Sequence, residues 1–307
     1  MTPEQILSIQ PKVLTQKQRE TYFENGYILL EKILDQDWLK RLQKVTEEMI
    51  EESRGITQSD EKWDLEPGHS KEAPRLRRLS CPNDHHPVYW EFASQSIVPD
   101  IVADLVGPNV KFHHSKLNFK WARGGEEVKW HQDIGFWPHT NYSPLTVGTY
   151  IYDCGMEQGP VGMIPKSHDG PLYNQYNDKD EWIGCLRPED EAAIDTASAD
   201  YLEGPAGSLT LHNCRMIHGS KPNLSDIGRP LLLNAYASAD ALPYTHNPAQ
   251  SKYMETIVRG EPARWAHHDS RPCLLPPDWS GGYTSIFALQ QEEASETSVM
   301  MGSNGEC

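Results

Sequence analysis

The sequence lacks the features that would direct it to a membrane or to nucleic acid. None of its apolar runs approaches the roughly 20 residues needed to cross a bilayer. The opening stretch MTPEQILSIQPK has no basic-then-apolar signal pattern. Basic residues are fewer than acidic ones, with 28 Lys and Arg against 44 Asp and Glu, which gives a formal net charge of −16. This acidic balance argues against nucleic acid or an anionic membrane as a partner.

Cysteine is also scarce and widely spaced. The six cysteines include no C-x-x-C pair, and the nearest two, Cys185 and Cys214, are 29 positions apart. This spacing excludes the common zinc modules and gives no disulfide framework, so we expect reduced, mostly buried thiols. With no peroxisomal S-K-L ending either, the sequence predicts a cytoplasmic protein that acts on a small molecule. A homo-oligomeric state is compatible with it.

Length and composition favour one domain. The chain has 307 residues, of which 37% are hydrophobic, which is enough for a core that encloses a cavity. We expect a single domain over residues 1–290, with a helical part at 1–107, a β-rich core at 108–240 and a loop region at 241–290. Residues 291–307 are polar and are expected to be a disordered tail.

Capping signals mark helices in the N-terminal part. In LTQKQRETYFENGY, Thr15 and Gln18 have capping-box spacing and Gly26 ends the pattern. The stretch YILL then indicates a strand, and Asp35 is the expected N-cap of the next helix. Residues 56–87 are polar and rich in Pro and His, which predicts a loop.

Beyond residue 108 the pattern changes to short strands. NVKFHHSKLNFKWA, VKWHQDIGFW and PLLLNAYAS are rich in β-branched and aromatic residues, and Gly or Pro turns separate them. Because no helices alternate with these strands, they indicate a sandwich or barrel. The long polar interruption at 174–200, which contains Trp182, is a candidate lid over the mouth of the barrel.

The stretch VKWHQDIGFW places two potential metal ligands in an apolar strand pattern. Alternate residues of a strand share a face, so His131 and Asp133 are expected on one side and Gln132 on the other. A buried carboxylate needs a partner, and either a bound cation or a His131–Asp133 hydrogen bond would provide one. A second histidine would come from LHNCRMIHGSKPNLSDIGRP, which offers His212 and His218. Two histidines and one carboxylate suit an iron(II) that keeps open positions for a chelating co-substrate and dioxygen.

The ordered combination of H-x-D, a later HGSKPNLSD and an arginine resembles the phytanoyl-CoA dioxygenase family of Fe(II)- and 2-oxoglutarate-dependent oxygenases. The likeness runs from YFENGYILLE through GPVGMIPKSH. It implies a mainly β chain with flanking helices, folded as a double-stranded β-helix (a cupin-like jelly roll). It also implies that His131, Asp133 and His218 are the catalytic iron ligands and that Arg229 pairs with the distal carboxylate of 2-oxoglutarate. His212 is assigned to structure.

The resemblance suggests further contacts around the iron. Ser220 could donate its hydroxyl to the carboxylate that Arg229 holds. His114 and Asn118 lie in HHSKLN, on one strand face with two lysines, where similar enzymes hold 2-oxoglutarate with a segment like HQSRIN. A polar ladder in the core would explain them as well. Trp137 resembles the aromatic residue that lines the substrate pocket in the family, although packing would also account for it.

We therefore expect a dioxygenase that uses Fe(II), 2-oxoglutarate and O2 to hydroxylate, or otherwise oxidise, an unactivated C–H bond of a small molecule, with release of succinate and CO2. Two alternatives are a noncatalytic metal-binding jelly roll and a metal-dependent hydrolase. A hydrolase would need a base near the metal but no anchor for 2-oxoglutarate.

Overall fold

Most of the described helices lie in the first third of the chain, and most of the described strands lie after it. The computed structural model describes residues 1–281, 286 and 290, so the predicted tail at 291–307 lies outside the described residues. The α-helices in this part of the chain are α1 (Pro3–Leu7), α2 (Gln16–Asn25), α3 (Gln36–Ser53), α4 (Pro82–His85), α5 (Pro87–Gln95), α6 (Val98–Val106) and α7 (Pro188–Ala192). The strands are β1 (Tyr27–Leu30), β2 (Trp63–Leu65), β3 (Leu76–Ser80), β4 (Val110–Asn118), β5 (Val128–His131), β6 (Leu145–Tyr150), β7 (Val161–Met163), β8 (Asp200–Tyr201), β9 (Leu209–Asn213), β10 (His218–Ser220), β11 (Leu231–Ser238) and β12 (Ile257–Arg259).

The predicted caps begin and end the N-terminal helices. Thr15 and Gln18 form the full capping box of α2, and Gly26 ends that helix with a φ of 85°. Asp35 accepts a hydrogen bond from the Trp38 amide at 2.9 Å and so caps α3. These sequence predictions are confirmed.

The prediction of a loop over residues 56–87 is wrong in part. Strands β2 and β3 lie within it, and β3 pairs with β4 through Arg78 opposite Asn118. The charged side chains in this segment argued against a strand in the sequence. In the fold, Arg77 binds Glu126, with 3.1 Å between Nε and Oε2, so its charge does not prevent β3 from pairing with β4. Composition alone could not show that these charges have partners within the fold.

Two antiparallel sheets face each other. The larger has the order β1-β9-β6-β11-β4-β3-β2, with β12 also paired to β4, and the smaller has the order β5-β10-β7-β8. With helices flanking the larger sheet, this is the predicted cupin-like jelly roll, the double-stranded β-helix. The helical N-terminal part thus also contributes β1, β2 and β3 to the larger sheet.

The larger sheet separates a packed core from an interior cavity. Leu232 and Tyr236 of β11 belong to the core cluster that includes Leu42 of α3. Leu231 and Leu233 of the same strand face the opposite way and line the cavity between the sheets. Alternation along each strand therefore decides which side chains reach the site.

Two properties of the described residues concern thiols and membranes. All five of the described cysteines are free thiols, four of them buried. None of the helices in the described part of the chain is long and apolar enough to span a bilayer.

Candidate metal centre and co-substrate cavity

Strand β5 and the turn after it present the H-x-D pair. The expectation that both residues share one strand face is wrong in detail, because β5 ends at His131 and Asp133 begins a 3-10 turn. The Phe136 amide closes this turn on the Asp133 carbonyl at 2.9 Å, and the Ile134 amide bonds to Cys214. The turn still directs the carboxylate back, so that Asp133 Oδ1 lies 3.7 Å from His131 Nε2.

The third residue arrives on the neighbouring strand. His218 of β10 lies opposite His131 in the antiparallel register, and its Nε2 is 3.8 Å from Asp133 Oδ1. One potential ligand atom from each of His131, Asp133 and His218 lies within 4.8 Å of the other two. The fold thus brings together the three residues that the sequence named.

Hydrogen bonds set the two imidazoles up as ligands. His131 Nδ1 lies 2.9 Å from the Lys129 carbonyl, and His218 Nδ1 lies 3.0 Å from the Met216 carbonyl. Because a carbonyl can only accept, each Nδ1 donates its proton there, which directs each Nε2 towards Asp133. Burial lowers the pKa of His218 well below its usual value, which keeps that ring neutral. Two imidazoles and a carboxylate fit an iron(II) centre of the facial type.

The carboxylate is held ionised by its surroundings. Burial opposes ionisation, but the Lys116 charge and the surrounding imidazoles outweigh it and hold the pKa of Asp133 well below its usual range. Thr146 donates its hydroxyl to Asp133 Oδ2 at 2.9 Å, which leaves Oδ1 on the side of the two histidines. Asp133 is therefore both charged and oriented.

A cavity extends from these residues towards Arg229. Its lining includes Asn118, Lys120, Ser220 and Arg229, together with apolar side chains of β7 and β11. Arg229 is 3% exposed and donates through Nη2 to the Gly159 carbonyl at 2.8 Å. Its buried Nε has no hydrogen-bond partner among the described residues. A guanidinium with an unused donor at the end of a cavity suits a bound carboxylate.

Lys120 lies at the same end of the cavity. Its ammonium donates to the carbonyls of Ser220, at 3.3 Å, and Lys221. Burial, with the Arg229 charge added to it, lowers the pKa of Lys120 well below its usual value. Arg229 is thus the more dependable cation there.

His114 and Trp137 lie next to each other. The register of β4 against β11 shifts at His113, so the imidazoles of His113 and His114 lie on the same side of β4. His113 Nδ1 and His114 Nδ1 are 2.6 Å apart, and the Trp137 ring lies 5.9 Å from that of His114. His114 is not part of the cavity lining that Asn118 and Ser220 share.

Sequence reasoning missed two residues of the site. His212, assigned to structure, lines the cavity and places Nε2 at 3.4 Å from Asp133 Oδ2. Thr146, which orients the same carboxylate, was not singled out. For His212, the alternation of side chains along β9 did carry a signal. Leu209 and Leu211 face the packed core, so Thr210 and His212 lie on the opposite side of the sheet, which faces the cavity.

Residues of the predicted lid segment contact the H-x-D region. Trp182 is buried against Phe136, with ring centroids 5.2 Å apart, and against Trp279 at 6.1 Å. Gln175 donates to the Gln132 carbonyl at 2.9 Å, next to the turn that carries Asp133. The segment is thus packed against the turn that follows β5.

Comparisons with known proteins agree with this geometry. The model of the phytanoyl-CoA dioxygenase (PhyH) family matches residues 22–231. The "Probable alpha-ketoglutarate-dependent hypophosphite dioxygenase" of Stutzerimonas stutzeri is 29% identical over 281 residues, covering 91% of this chain and 98% of that protein. The ectoine dioxygenase of Sphingopyxis alaskensis is 24% identical over 267 residues, covering 81% of this chain and 85% of that protein.

Solved structures show the same fold. EctD from S. alaskensis with 2-oxoglutarate and 5-hydroxyectoine superposes with a TM-score of 0.65 at 22% identity, covering 86% of this chain and 90% of that one. The same enzyme with bound Fe gives 0.65 at 20% identity, with coverage of 87% and 92%.

Proposed function

This chain belongs to the phytanoyl-CoA dioxygenase family and is an Fe(II)- and 2-oxoglutarate-dependent dioxygenase, and we propose which of its residues carry out the reaction. It oxidises a small molecule with O2 and converts 2-oxoglutarate to succinate and CO2. When bound, the iron supplies the activation of dioxygen that no side chain can provide. The protein binds, orients and shields the reactants.

The metal ligands are His131, Asp133 and His218. Their potential ligand atoms lie within 4.8 Å of one another, and backbone carbonyls accept from Nδ1 of both imidazoles. Thr146 holds Asp133 from behind, so that the carboxylate offers Oδ1 to the metal. Three protein ligands leave positions free for 2-oxoglutarate and dioxygen.

The co-substrate lies between these ligands and Arg229. Arg229 receives the distal carboxylate, and Ser220 and Asn118 are within the same cavity as polar neighbours. The buried Asn118 Oδ1 has no hydrogen-bond partner among the described residues, so this amide is available for a ligand. Apolar side chains of Val161, Leu231 and Leu233 enclose the carbon chain.

Trp137 packs against His114 and belongs to the same aromatic cluster as Phe136, Trp182 and Trp279. Burial lowers the pKa of His114 to about 3, so the ring meets a substrate as a neutral donor or acceptor. Phe136, Trp182 and Trp279 pack over this end and exclude water while the site is closed. We therefore place Trp137 in the substrate pocket and assign His114 to that pocket in preference to the co-substrate.

The observation that carries this proposal is the convergence of a metal triad and a buried, incompletely bonded arginine on one cavity. A metal hydrolase or a noncatalytic jelly roll would have no need of the arginine. Titration of the Fe(II)-loaded protein with 2-oxoglutarate under nitrogen tests it. We expect the weak visible absorption of an iron chelate with saturable binding, and absence of that band would contradict the proposal.

The relative from Stutzerimonas stutzeri makes hypophosphite a second candidate substrate, in which a P–H bond replaces the C–H bond. Succinate release above the uncoupled background, measured with hypophosphite and with ectoine-like and amino-acid substrates, decides between them. The free thiols favour a reducing, cytoplasmic location for the enzyme. Size-exclusion chromatography would test whether it forms a homo-oligomer.

A further inference from the structure

Lys116 is a basic residue inside the barrel for which the reaction described above provides no role. It lies on β4 opposite Leu233 of β11 and Ser80 of β3, and it lines the same cavity as His131, Asp133 and His218. Its side chain is half-buried and lines the cavity rather than the outer surface, and a lysine in the interior of a barrel is uncommon without a partner or a ligand.

The ammonium has no direct partner among the described residues. No hydrogen bond and no ion pair within 4 Å joins it to another side chain in residues 1–281, 286 and 290, and its favourable charge is that of Asp133. Asp133 is already engaged, because Oδ2 accepts from Thr146 and Oδ1 faces the two histidines. A metal on Oδ1 would take up that negative charge and leave Lys116 facing a cationic centre.

The co-substrate does not place a negative charge beside Lys116. Its distal carboxylate goes to Arg229, which is joined to Lys120 through backbone hydrogen bonds of 2.7 and 3.3 Å. Lys116 is four residues back along the chain from Lys120, roughly 13 Å of extended strand. Lys116, Arg229 and a divalent metal together carry more positive charge than Asp133 and a dianionic co-substrate can offset, so positive charge is left uncompensated beside Lys116.

From this arrangement we propose that Lys116 binds the negatively charged group of the substrate, and that the substrate is a compact anion, a carboxylate or a phosphorus oxyanion. This rests on the proposed function and names the substrate class of the same site. Because Lys116 and Asp133 line one cavity, the oxidised bond lies next to the anionic group, at most a few atoms from it. The aromatic cover from Phe136, Trp182 and Trp279 favours a small substrate.

Ligand binding to the anaerobic Fe(II)–2-oxoglutarate enzyme tests the proposal without turnover. Hypophosphite, propionate and methylphosphonate are the probe anions, and propionamide is the neutral match for propionate. The readout is the shift in the visible absorption of the iron chelate. We expect at least one anion to bind the parent enzyme, and propionamide to bind at least tenfold more weakly than propionate.

Variants of Lys116 then test whether this residue is responsible for the anion binding. Lys116→Met should weaken anion binding by about tenfold or more while the affinity for 2-oxoglutarate changes less than about threefold, which also shows that the variant is folded. Lys116→Arg should retain part of the binding. Lys166→Met is the matched control, because Lys166 is exposed and its ammonium lies 3.4 Å from Glu24 Oε1.

Three results would overturn the proposal. The first is failure of every probe anion to bind the parent enzyme. The second is tighter binding of propionamide than of propionate. The third is loss of 2-oxoglutarate affinity in Lys116→Met with anion binding intact, because that result would make Lys116 a co-substrate ligand. Failure of the parent enzyme to bind 2-oxoglutarate at all would instead contradict the proposed function, so the two failures are distinguishable.

Discussion

His218 lies directly opposite His131 across the antiparallel pair of β5 and β10, and the two ring centroids are 4.1 Å apart. Backbone pairing therefore sets the separation of two proposed iron ligands. Gly219, the next residue of β10, permits this close approach, because a Cβ there would lie 2.8 Å from the Val128 carbonyl oxygen. The metal centre thus depends on the spacing of two short strands.

Gly219→Ala should push β10 away from β5 and misplace His218. Overpacking against backbone costs about 1–3 kcal/mol, so we expect lower stability together with roughly tenfold weaker Fe(II) binding. Iron titration and thermal unfolding measure the two effects. Gly55→Ala is the control, since the nearest atom to a Cβ there is 3.9 Å away. Parent-like iron affinity in Gly219→Ala would contradict this account of strand spacing.

Thr146→Val should weaken iron binding while the fold is retained. The substitution keeps the shape but removes the hydroxyl that holds Asp133 Oδ2 at 2.9 Å. Partners of metal ligands typically contribute 10–100-fold to metal affinity, and we expect a loss of about tenfold, measured by competition with a chelator. Thr149→Val on the same strand is the control, because its buried hydroxyl has no partner among the described residues. Equal effects of the two substitutions would remove Thr146 from the site.

Arg229→Ala should leave iron binding intact and weaken 2-oxoglutarate binding. Loss of a charge-assisted contact to a buried carboxylate costs on the order of 2–5 kcal/mol, which is more than about tenfold in affinity. Arg229→Lys should recover only part, because a point charge cannot replace the guanidinium fork. Arg123→Ala serves as the exposed control. If Arg229→Ala bound 2-oxoglutarate as tightly as the parent, Lys120 would become the next residue to test.

The segment at 174–200 should respond to ligands if it acts as a lid. Trp182 packs on Phe136 next to the metal-binding turn, so a filled site should hold the segment more firmly. Hydrogen exchange measured with Fe(II), 2-oxoglutarate and a substrate should show protection around Trp182. Unchanged exchange across the segment in the full complex would reduce it to a passive insertion.

Local signals in the sequence predicted local structure well. The capping box of Thr15 and Gln18 and the N-cap Asp35 involve neighbours in the chain, so their effect can be read without the fold. The strand β3 could not be read in this way, because Arg77 binds Glu126 and β3 pairs with β4, both distant in the sequence.

In the site, too, local patterns could be read from the sequence, whereas contacts between distant residues could not. The H-x-D spacing and the arginine after His218 follow from the family pattern. The 3-10 turn that carries Asp133 depends on a hydrogen bond from Ile134 to Cys214, far along the chain. His212 and Thr146 reach Asp133 only through sheet pairing, and neither has a motif of its own. The sequence therefore named the three proposed ligands but not the residues that orient Asp133.

The most direct test of the central claim is the Fe(II) affinity of four single variants, measured anaerobically by equilibrium dialysis. His131→Ala, Asp133→Ala and His218→Ala should each remove a ligand and lose iron, whereas His212→Ala should keep it with at most about a tenfold loss. His212 is the stringent comparison, because its ring lies only 4.3 Å from that of His218 and contacts the same carboxylate. We predict one iron per chain in the parent and in His212→Ala, and little in the other three. Full iron content in His218→Ala with loss in His212→Ala would contradict the assignment of the metal centre.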